Sequence, residues 1–363
     1  MRASRNIHKA QSARGSPFSP RDAWARAEGL LPDILALMHD QSDAQGVLGR
    51  AARYHLESGG KSFRARLLVA CATQLGVPDE TSIPAAAACE LLHNASLVHD
   101  DVQDGDALRR GAPSVWKRFG LDVAIYLGDH FITQAFGLLA QSPNAAKACR
   151  LLELFASAVK SAIHGQLVES GFDARNFPTP EDYWLMAAGK SGALFALPGH
   201  AACVLAGEGA EVVTAVGRVL ELYGVAYQIK DDLLDIICGK EGRPVGSDLA
   251  AGKANAVLIL HLAASDPALG DVLAADLNSS MRPGRRRWWL TKLNRPEVLA
   301  RVSHEHANLI ALAEQAALSL PRPLRETLRY GLGHIVELPA ALAYASEARP
   351  ERLRKNRPAK VKI

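Results

Sequence analysis

The sequence is expected to fold as an all-α protein, a single-domain helical bundle. Three observations lead there. From Trp24 to the end, apolar residues recur at intervals of three and four, Ala and Leu dominate, and alternating β-branched segments are nearly absent. Gly or Pro punctuates the helical runs, at Gly59-Gly60, Gly76-Val77-Pro78, Gly111-Ala112-Pro113, Ser142-Pro143 and Pro178-Thr179-Pro180. Pro143 and Pro180 suit a first helical turn, with Ser142 and Thr179 as the N-caps before them. No linker is visible between about residues 24 and 345, so residues 23–348 read as one domain between two basic tails, 1–22 and 349–363. No repeat of 20–50 residues is visible.

Composition narrows the class. The chain has 363 residues, 48% hydrophobic and 22% charged, an ordinary globular balance. No uninterrupted apolar run reaches the length of a membrane span. The five cysteines are scattered without a C-x-x-C pair and read as thiols of a reducing compartment, which favours a cytoplasmic protein. The net charge of +4 conceals a division: the first 21 residues carry +5, the segment from Arg349 carries +6, and the body between them −7. A basic pI therefore does not argue for nucleic-acid binding, and both tails read as solubilising termini. The stretch Arg282-Pro283-Gly284-Arg285-Arg286-Arg287-Trp288-Trp289 reads as a surface loop entering a helix, with its indoles docked on the body, ahead of nucleic-acid or membrane contact.

Chemistry concentrates in two stretches of identical spacing, Asp100-Asp101-Val102-Gln103-Asp104 and Asp231-Asp232-Leu233-Leu234-Asp235. On a helix the first and fifth residues of D-D-x-x-D lie about 40° apart, one turn along, and the second leans to the same side. Gathering carboxylates is costly unless a cation sits between them. Oxygen-only ligands suit Mg²⁺, which keeps waters and takes the rest of its shell from substrate phosphates. One such stretch could be a solvated acidic face; two, each beside apolar helix, favour metal.

Basic residues nearby supply the partner. Gly59-Gly60-Lys61-Ser62-Phe63-Arg64 puts a flexible glycine pair before a lysine and an arginine near a helix start, which suits a diphosphate. Arg109-Arg110-Gly111 follows the first acidic stretch, and Lys190-Ser191, Gly252-Lys253 and Gln228 accompany the second. Together with Leu92-His93-Asn94-Ala95-Ser96-Leu97-Val98-His99, Gly128-Asp129 and Gly246-Ser247-Asp248, these segments resemble the trans-isoprenyl diphosphate synthases, the polyprenyl synthetase family, over residues 50–260, with a geranylgeranyl diphosphate synthase-like pattern.

The resemblance implies an isoprenoid synthase fold around a deep apolar cavity, a homodimer, and head-to-tail condensation of isopentenyl diphosphate with an allylic diphosphate, releasing pyrophosphate. It implies about three Mg²⁺ ions with substrate bound, held by Asp100, Asp101, Asp104, Asp231 and Asp232, with Asp235 behind them. It assigns Arg109, Lys190 and Lys253 to the allylic diphosphate, and Lys61, Arg64, His93 and Arg110 to isopentenyl diphosphate. Ser191 and Gln228 would line the path of the allylic cation. Ser62 and Ala65 depart from the family pattern, which more often has a basic residue and a proline there. Physics agrees with the mechanism: neutralising the leaving diphosphate drives ionisation, and an apolar pocket protects the carbocation. Ala95 and Ser96, about one turn before Asp100, are small, and with Leu92 further down they suggest a product of geranylgeranyl length or longer. A class I terpene synthase would not need the second set of cations, and a non-catalytic subunit would have no reason to keep both acidic stretches. Neither a nucleic-acid partner nor a membrane span is expected.

Overall fold

The structure is a computed structural model that describes residues 18–170, 177–239, 244–278, 281–339 and 342. Both expected basic tails fall largely outside these residues. The described chain is helical almost throughout. In order it forms α1 (Pro20–Gly29), α2 (Leu31–Gln41), α3 (Gly46–Glu57), α4 (Phe63–Gln74), α5 (Asp79–Asp104), a two-residue hairpin of β1 (Leu108–Arg109) and β2 (Ala112–Pro113), α6 (Val115–Phe119), α7 (Leu121–Ala140) and α8 (Ala145–Ser170). Then follow α9 (Pro180–Ala187), a π turn (Ala188–Gly192), α10 (Ala193–Ala206), α11 (Ala210–Ile237), α12 (Ser247–Ala251) and α13 (Ala256–Ala263). The remaining helices are α14 (Ala268–Asn278), α15 (Pro283–Leu293), α16 (Pro296–Ala317) and α17 (Arg322–Val336). The all-α expectation holds.

The chain divides into two compact units. The first is built from residues through Val159 with Ala196–Val219 and Gln315–His334; the second from Lys160–Phe195, Leu220–Glu314 and the residues from Ile335 on. In the first unit α5 is the central element. Its alanine run, Ala85 to Ala88, is buried, and it packs against α2, α4 and α7. Alanine is the best helix former, and its short side chain lets neighbouring helices approach closely on several sides. Every residue of α4 from Leu67 to Gln74 is buried, so α4 carries no amphipathic stripe. Long-range bonds fasten the outer helices: Trp24 Nε1 donates to the Thr327 carbonyl at 2.9 Å, and Arg26 pairs with Asp79 at 2.6 Å. By length and hydropathy α7 is the one helix among the described residues that could cross a bilayer, but it carries Asp122, Asp129 and His130 and packs on α5.

In the second unit, α9 opens with the expected cap. Thr179 accepts the Asp182 N–H at 3.2 Å while Asp182 accepts the Thr179 N–H at 3.0 Å, with Pro180 in the first turn. The other expected cap is corrected. At the start of α8 it is Asn144, not Ser142, that accepts a first-turn N–H, from Lys147 at 3.1 Å. Asn and Ser compete on nearly equal terms as caps, and here the helix begins after Asn144, two residues later than the proline suggested. Accordingly, Asn144→Ala or Thr179→Ala should each lower stability by about 1 kcal/mol in urea denaturation, whereas Ser142→Ala should change it little.

Candidate active site

The first unit assembles its site at the C-terminal end of α5 and the N-terminal end of α4. Asp100 and Asp104, one turn apart on α5, are both half-buried. Asp101 turns inward: it is 1% exposed, and its Oδ1 accepts from Arg109 Nε at 2.9 Å and from Nη2 of the same guanidinium. The three carboxylates of this stretch therefore do not share one face; Asp101 is engaged by the hairpin that follows.

That hairpin explains the Arg109-Arg110-Gly111 motif. Arg109 pairs with Ala112, so the turn is Arg110-Gly111, and both residues have positive φ, 53° and 78°. A two-residue turn of this hand matches strand twist but strains any residue with a Cβ, here Arg110, by about 1–2 kcal/mol. The hairpin is held at its base, where the Asp106 carbonyl accepts from Ser114 Oγ at 2.6 Å and from Trp116 Nε1 at 2.7 Å. Tyr54 holds its second strand by donating to the Pro113 carbonyl at 2.6 Å.

The strained turn delivers Arg110 to the glycine pair. Its guanidinium lies over Gly60, where a Cβ would sit 2.6 Å from Nη2, and its Nη1 donates to Ser58 Oγ at 3.2 Å. Glycine suits position 60 because of its backbone, φ 151°, a conformation that residues with a side chain rarely adopt. Two residues on, Ser62 precedes α4 in a left-handed conformation, φ 41° and ψ 41°, and makes no side-chain cap. The cap comes instead from α5: Glu90, buried, accepts the Ala65 N–H at 3.1 Å. Burial raises the Glu90 carboxyl above its ordinary range, opposed chiefly by Arg64. Nothing in the sequence marks Glu90 as a cap for a helix 25 residues away.

Two histidines lie beneath these cations. Burial, then Arg64, Arg110, Arg109 and His55, holds His93 well below the usual imidazole range. His55, absent from the sequence expectations, is lowered to about 3 by burial and then Arg110. Its Nε2 lies 3.1 Å from Asn94 Oδ1, and Asn94 Nδ2 donates to the Glu90 carbonyl at 2.8 Å, so His55 Nε2 carries the proton. Arg64, Arg110 and Arg109 therefore supply the positive charge around His93, which is itself a neutral hydrogen-bonding imidazole, while exposed Lys61 lies in the loop between the glycine pair and α4. Of the expected chain-length positions, Leu92 and Ala95 are buried on α5, and half-buried Ser96 donates Oγ to the His93 carbonyl at 2.8 Å.

The second unit builds its part around α11 and the π turn. Asp232, 1% exposed, accepts from Tyr183 Oη at 2.8 Å, the Ala256 N–H at 2.8 Å and Gln228 Nε2 at 3.0 Å. Ser191 Oγ donates to Gln228 Oε1 at 2.7 Å, joining the π turn to this network. Asp235, fully buried, accepts from Ser247 Oγ at 2.6 Å and from the N–H groups of Ser247 and Asp248 at 3.1 and 3.3 Å. It caps α12, which fits its expected place behind the metal ligands. Asp232 has a fold-building role that the spacing did not reveal, because three neutral donors already surround its carboxylate. Asp231, on the same helix, is half-buried.

Lys190 sits in the π turn and pairs with Glu169 of α8. The turn presses on Gly165, where a Cβ would fall 2.4 Å from the Lys190 backbone nitrogen. Lys253 follows α12, and its N–H donates to the Asp248 carbonyl at 2.9 Å. Asn255, fully buried and also missed by the sequence reading, caps α13 through the Val257 N–H at 2.9 Å while donating to the Asp232 carbonyl at 3.2 Å.

Among the described residues no three His, Cys, Asp or Glu side chains are already gathered as a cage. The donor set nonetheless fits Mg²⁺. Within the first unit Asp100 and Asp104 offer half-buried carboxylate oxygens one turn apart, and within the second Asp231 offers another; an ion that dehydrates reluctantly takes one or two carboxylates and completes its shell with water and phosphate.

Comparison with known proteins agrees. The polyprenyl synthetase family model matches residues 45–282. Geranylgeranyl diphosphate synthase of Methanosarcina mazei is 33% identical over 215 residues, 58% of this chain and 66% of that enzyme, so the match spans just under two thirds of its length. Farnesyl diphosphate synthase of Geobacillus stearothermophilus is 33% identical over 62% of this chain and 78% of its own. The crystal structure of polyprenyl synthase from Caulobacter crescentus, complexed with calcium and isoprenyl diphosphate, superposes with a TM-score of 0.78 at 26% identity, covering 89% of this chain and 98% of that one.

Two expectations follow from this geometry. His55 and His93 stay neutral in the folded protein while the unfolded chain protonates near pH 6.5, so stability should be full above that pH and fall as pH drops toward about 3. His55→Gln, which keeps a donor for Asn94, should flatten part of that slope in denaturation at pH 5 against pH 7. Gly165→Ala, whose Cβ would fall 2.4 Å from the Lys190 backbone nitrogen, should displace the π turn and lower stability by about 1–3 kcal/mol in urea denaturation. With its family model matched over most of its length and the cationic and acidic motifs assembled as described, this chain belongs to the polyprenyl synthetase family, the trans-isoprenyl diphosphate synthases.

Proposed function

We propose that this chain catalyses the Mg²⁺-dependent head-to-tail condensation of isopentenyl diphosphate with an allylic diphosphate, releasing pyrophosphate. The observation that supports this reading is the set of guanidiniums, Arg64, Arg109 and Arg110, around neutral His93 in the first unit, with exposed Lys61 next to the glycine pair. A second diphosphate pocket is what an elongating prenyltransferase requires and a terpene cyclase does not. The names of the relatives, geranylgeranyl and farnesyl diphosphate synthases, support the same chemistry.

Asp100 and Asp104 in the first unit, and Asp231 in the second, are the carboxylates we assign to Mg²⁺. When bound, the ions neutralise charge developing on the leaving diphosphate. Lys190 and Lys253 hold the same leaving group by fixed positive charge. Arg109 keeps Asp101 turned inward and orients the end of α5. Lys61, Arg64 and Arg110 bind isopentenyl diphosphate, and His93, neutral, donates or accepts a hydrogen bond there without adding to the charge. Glu90 holds the first turn of α4, and with it Arg64, in position. Gln228 is fixed by Ser191 and Asp232, so its amide presents a fixed dipole to an allylic cation. No side chain need act as a nucleophile; the attacking electrons come from the double bond of isopentenyl diphosphate, and the released pyrophosphate takes the final proton.

The small Ala95 above Leu92 on α5 supports a geranylgeranyl or longer product. We further propose a homodimeric cytoplasmic enzyme with no membrane span; the exposed Leu121, Ile125 and Tyr126 of α7 give one apolar face for a second copy.

The test is one assay: purified protein, Mg²⁺, isopentenyl diphosphate, and geranyl or farnesyl diphosphate in separate tubes, with products measured by mass. Linear diphosphates longer than the primer are expected, and chelation should abolish them. A cyclic hydrocarbon formed without isopentenyl diphosphate would overturn the assignment. Asp100→Ala or Asp231→Ala should reduce turnover by about 100-fold or more with the helical fold retained. Ala95→Phe should shorten the product, and an unchanged product would put the floor of the chain pocket elsewhere.

A further inference from the structure

Helix α15 in the second unit carries a feature that prenyl transfer does not use. From Arg282 to Arg295 there are six cations and no acid. The sequence expectation that both indoles dock on the body holds for one of them. Trp289 is fully buried and donates Nε1 to Asp276 at 2.8 Å, whereas Trp288 is 36% exposed.

The exposed side of the helix is organised. Gly284, Arg287, Trp288 and Thr291 are all exposed and recur at helical spacing, so they share one face of α15; Arg295, also exposed, lies just beyond the end of the helix. Along its edge Arg285 stacks on the Trp288 ring at 4.4 Å and Lys292 at 4.5 Å. Asp276 pairs with Arg285 at 2.7 Å and anchors the stack from below. A ring flanked by two cations carries positive charge with it as it leaves water, because each cation keeps a favourable partner in the aromatic face.

We propose that this face of α15 docks the protein on an anionic lipid bilayer, with Trp288 at the headgroup level and Arg287, Lys292 and Arg295 on the lipid phosphates. Charge complementarity selects the occupant: Arg287 and Lys292 on the helix, with Arg282 and Arg295 exposed just outside its two ends, form a patch of one sign that suits acidic lipid headgroups, and tryptophan favours the interface between headgroup and chain. A single exposed ring, without the row of aromatics on which successive bases stack, argues against single-stranded nucleic acid. If the proposed reaction is correct, its product is an amphiphile with an apolar tail and a diphosphate head, and a bilayer is where such a product goes; only this link rests on that reading.

The experiment uses the full chain with vesicles of phosphatidylcholine alone or mixed with phosphatidylglycerol, some with brominated acyl chains. Binding is expected to the anionic vesicles only and to weaken with added salt. Bromine should quench part of the tryptophan fluorescence, and Trp288→Phe should remove that quenched part. Each cation removed should weaken binding about fivefold, so Arg287→Ala/Arg295→Ala should weaken it roughly 25-fold. Circular dichroism and turnover should be unchanged in both variants, which separates this result from the fate of the prenyl-transfer reading. The proposal is overturned by equal binding to neutral vesicles, by quenching that persists in Trp288→Phe, or by anionic binding that the arginine pair does not affect, which would assign it to the basic tails. Binding of duplex DNA that is lost in the same variants, with no vesicle binding, would also overturn it and make the face a nucleic-acid contact.

Discussion

The structure depends on buried carboxylates that are already held by donors before any ligand arrives. Asp101, Glu90, Asp232 and Asp235 are each almost completely removed from water, and each accepts from donors of its own unit: a guanidinium, a helix N-terminus, a phenol and two amides, and the first turn of α12. An unpaired buried carboxylate would shift its pKa or unfold its surroundings. Paired, it becomes a fixed anchor. The residues that would face substrate (Asp100, Asp104 and Asp231) are the less buried members of the same stretches. Each acidic stretch thus divides into buried anchors, which fix the backbone, and less buried carboxylates that project from it.

The cations follow the same division. Arg109 faces inward to Asp101 while Arg110, its neighbour, is turned the other way by a strained two-residue turn and laid over Gly60. Adjacent arginines on a regular strand would also point to opposite faces, but only the turn carries the second one to the glycine pair. Two residues after that pair, Ser62 holds another left-handed conformation. Strain of this kind persists only where the surroundings over-determine it. Here Glu90 caps the helix that Ser62 begins and Ser58 receives Arg110, so the substrate-facing loop is fixed at both ends.

The legible part of this molecule is the part written as residue type at fixed spacing. The helical class followed from three-and-four periodicity, and the family from two acidic stretches with lysines and arginines nearby. What stayed hidden lies in pairings across sequence. Glu90 looks like one more helix residue until α4 is seen to start against it, and Asn255 looks like a loop residue until Asp232 is its neighbour. Gly165 appears as a weak point in α8, yet it is where the Lys190 backbone passes. The division of labour within Asp231-Asp232-Leu233-Leu234-Asp235 was hidden for the same reason: spacing says which side chains share a helix face, not which neighbours already hold them. Ser142 and Asn144 were a near-tie between two good caps, and periodicity cannot resolve a helix start to within two residues.

The π turn at Ala188–Gly192 has a consequence for how this chain can vary. A π turn holds one residue more than the α-helical turn it replaces, so it is a one-residue insertion absorbed without breaking the helix. Deleting one residue there would restore a regular helix and leave both flanking sequences intact. The wider turn takes up the extra residue, so the flanks would stay near their present faces and the change would fall on the turn itself. Ser191 and Gln228 would then lose their register, and the Lys190 backbone its seat on Gly165. Single-residue length at this one position is therefore held more tightly than side-chain identity around it.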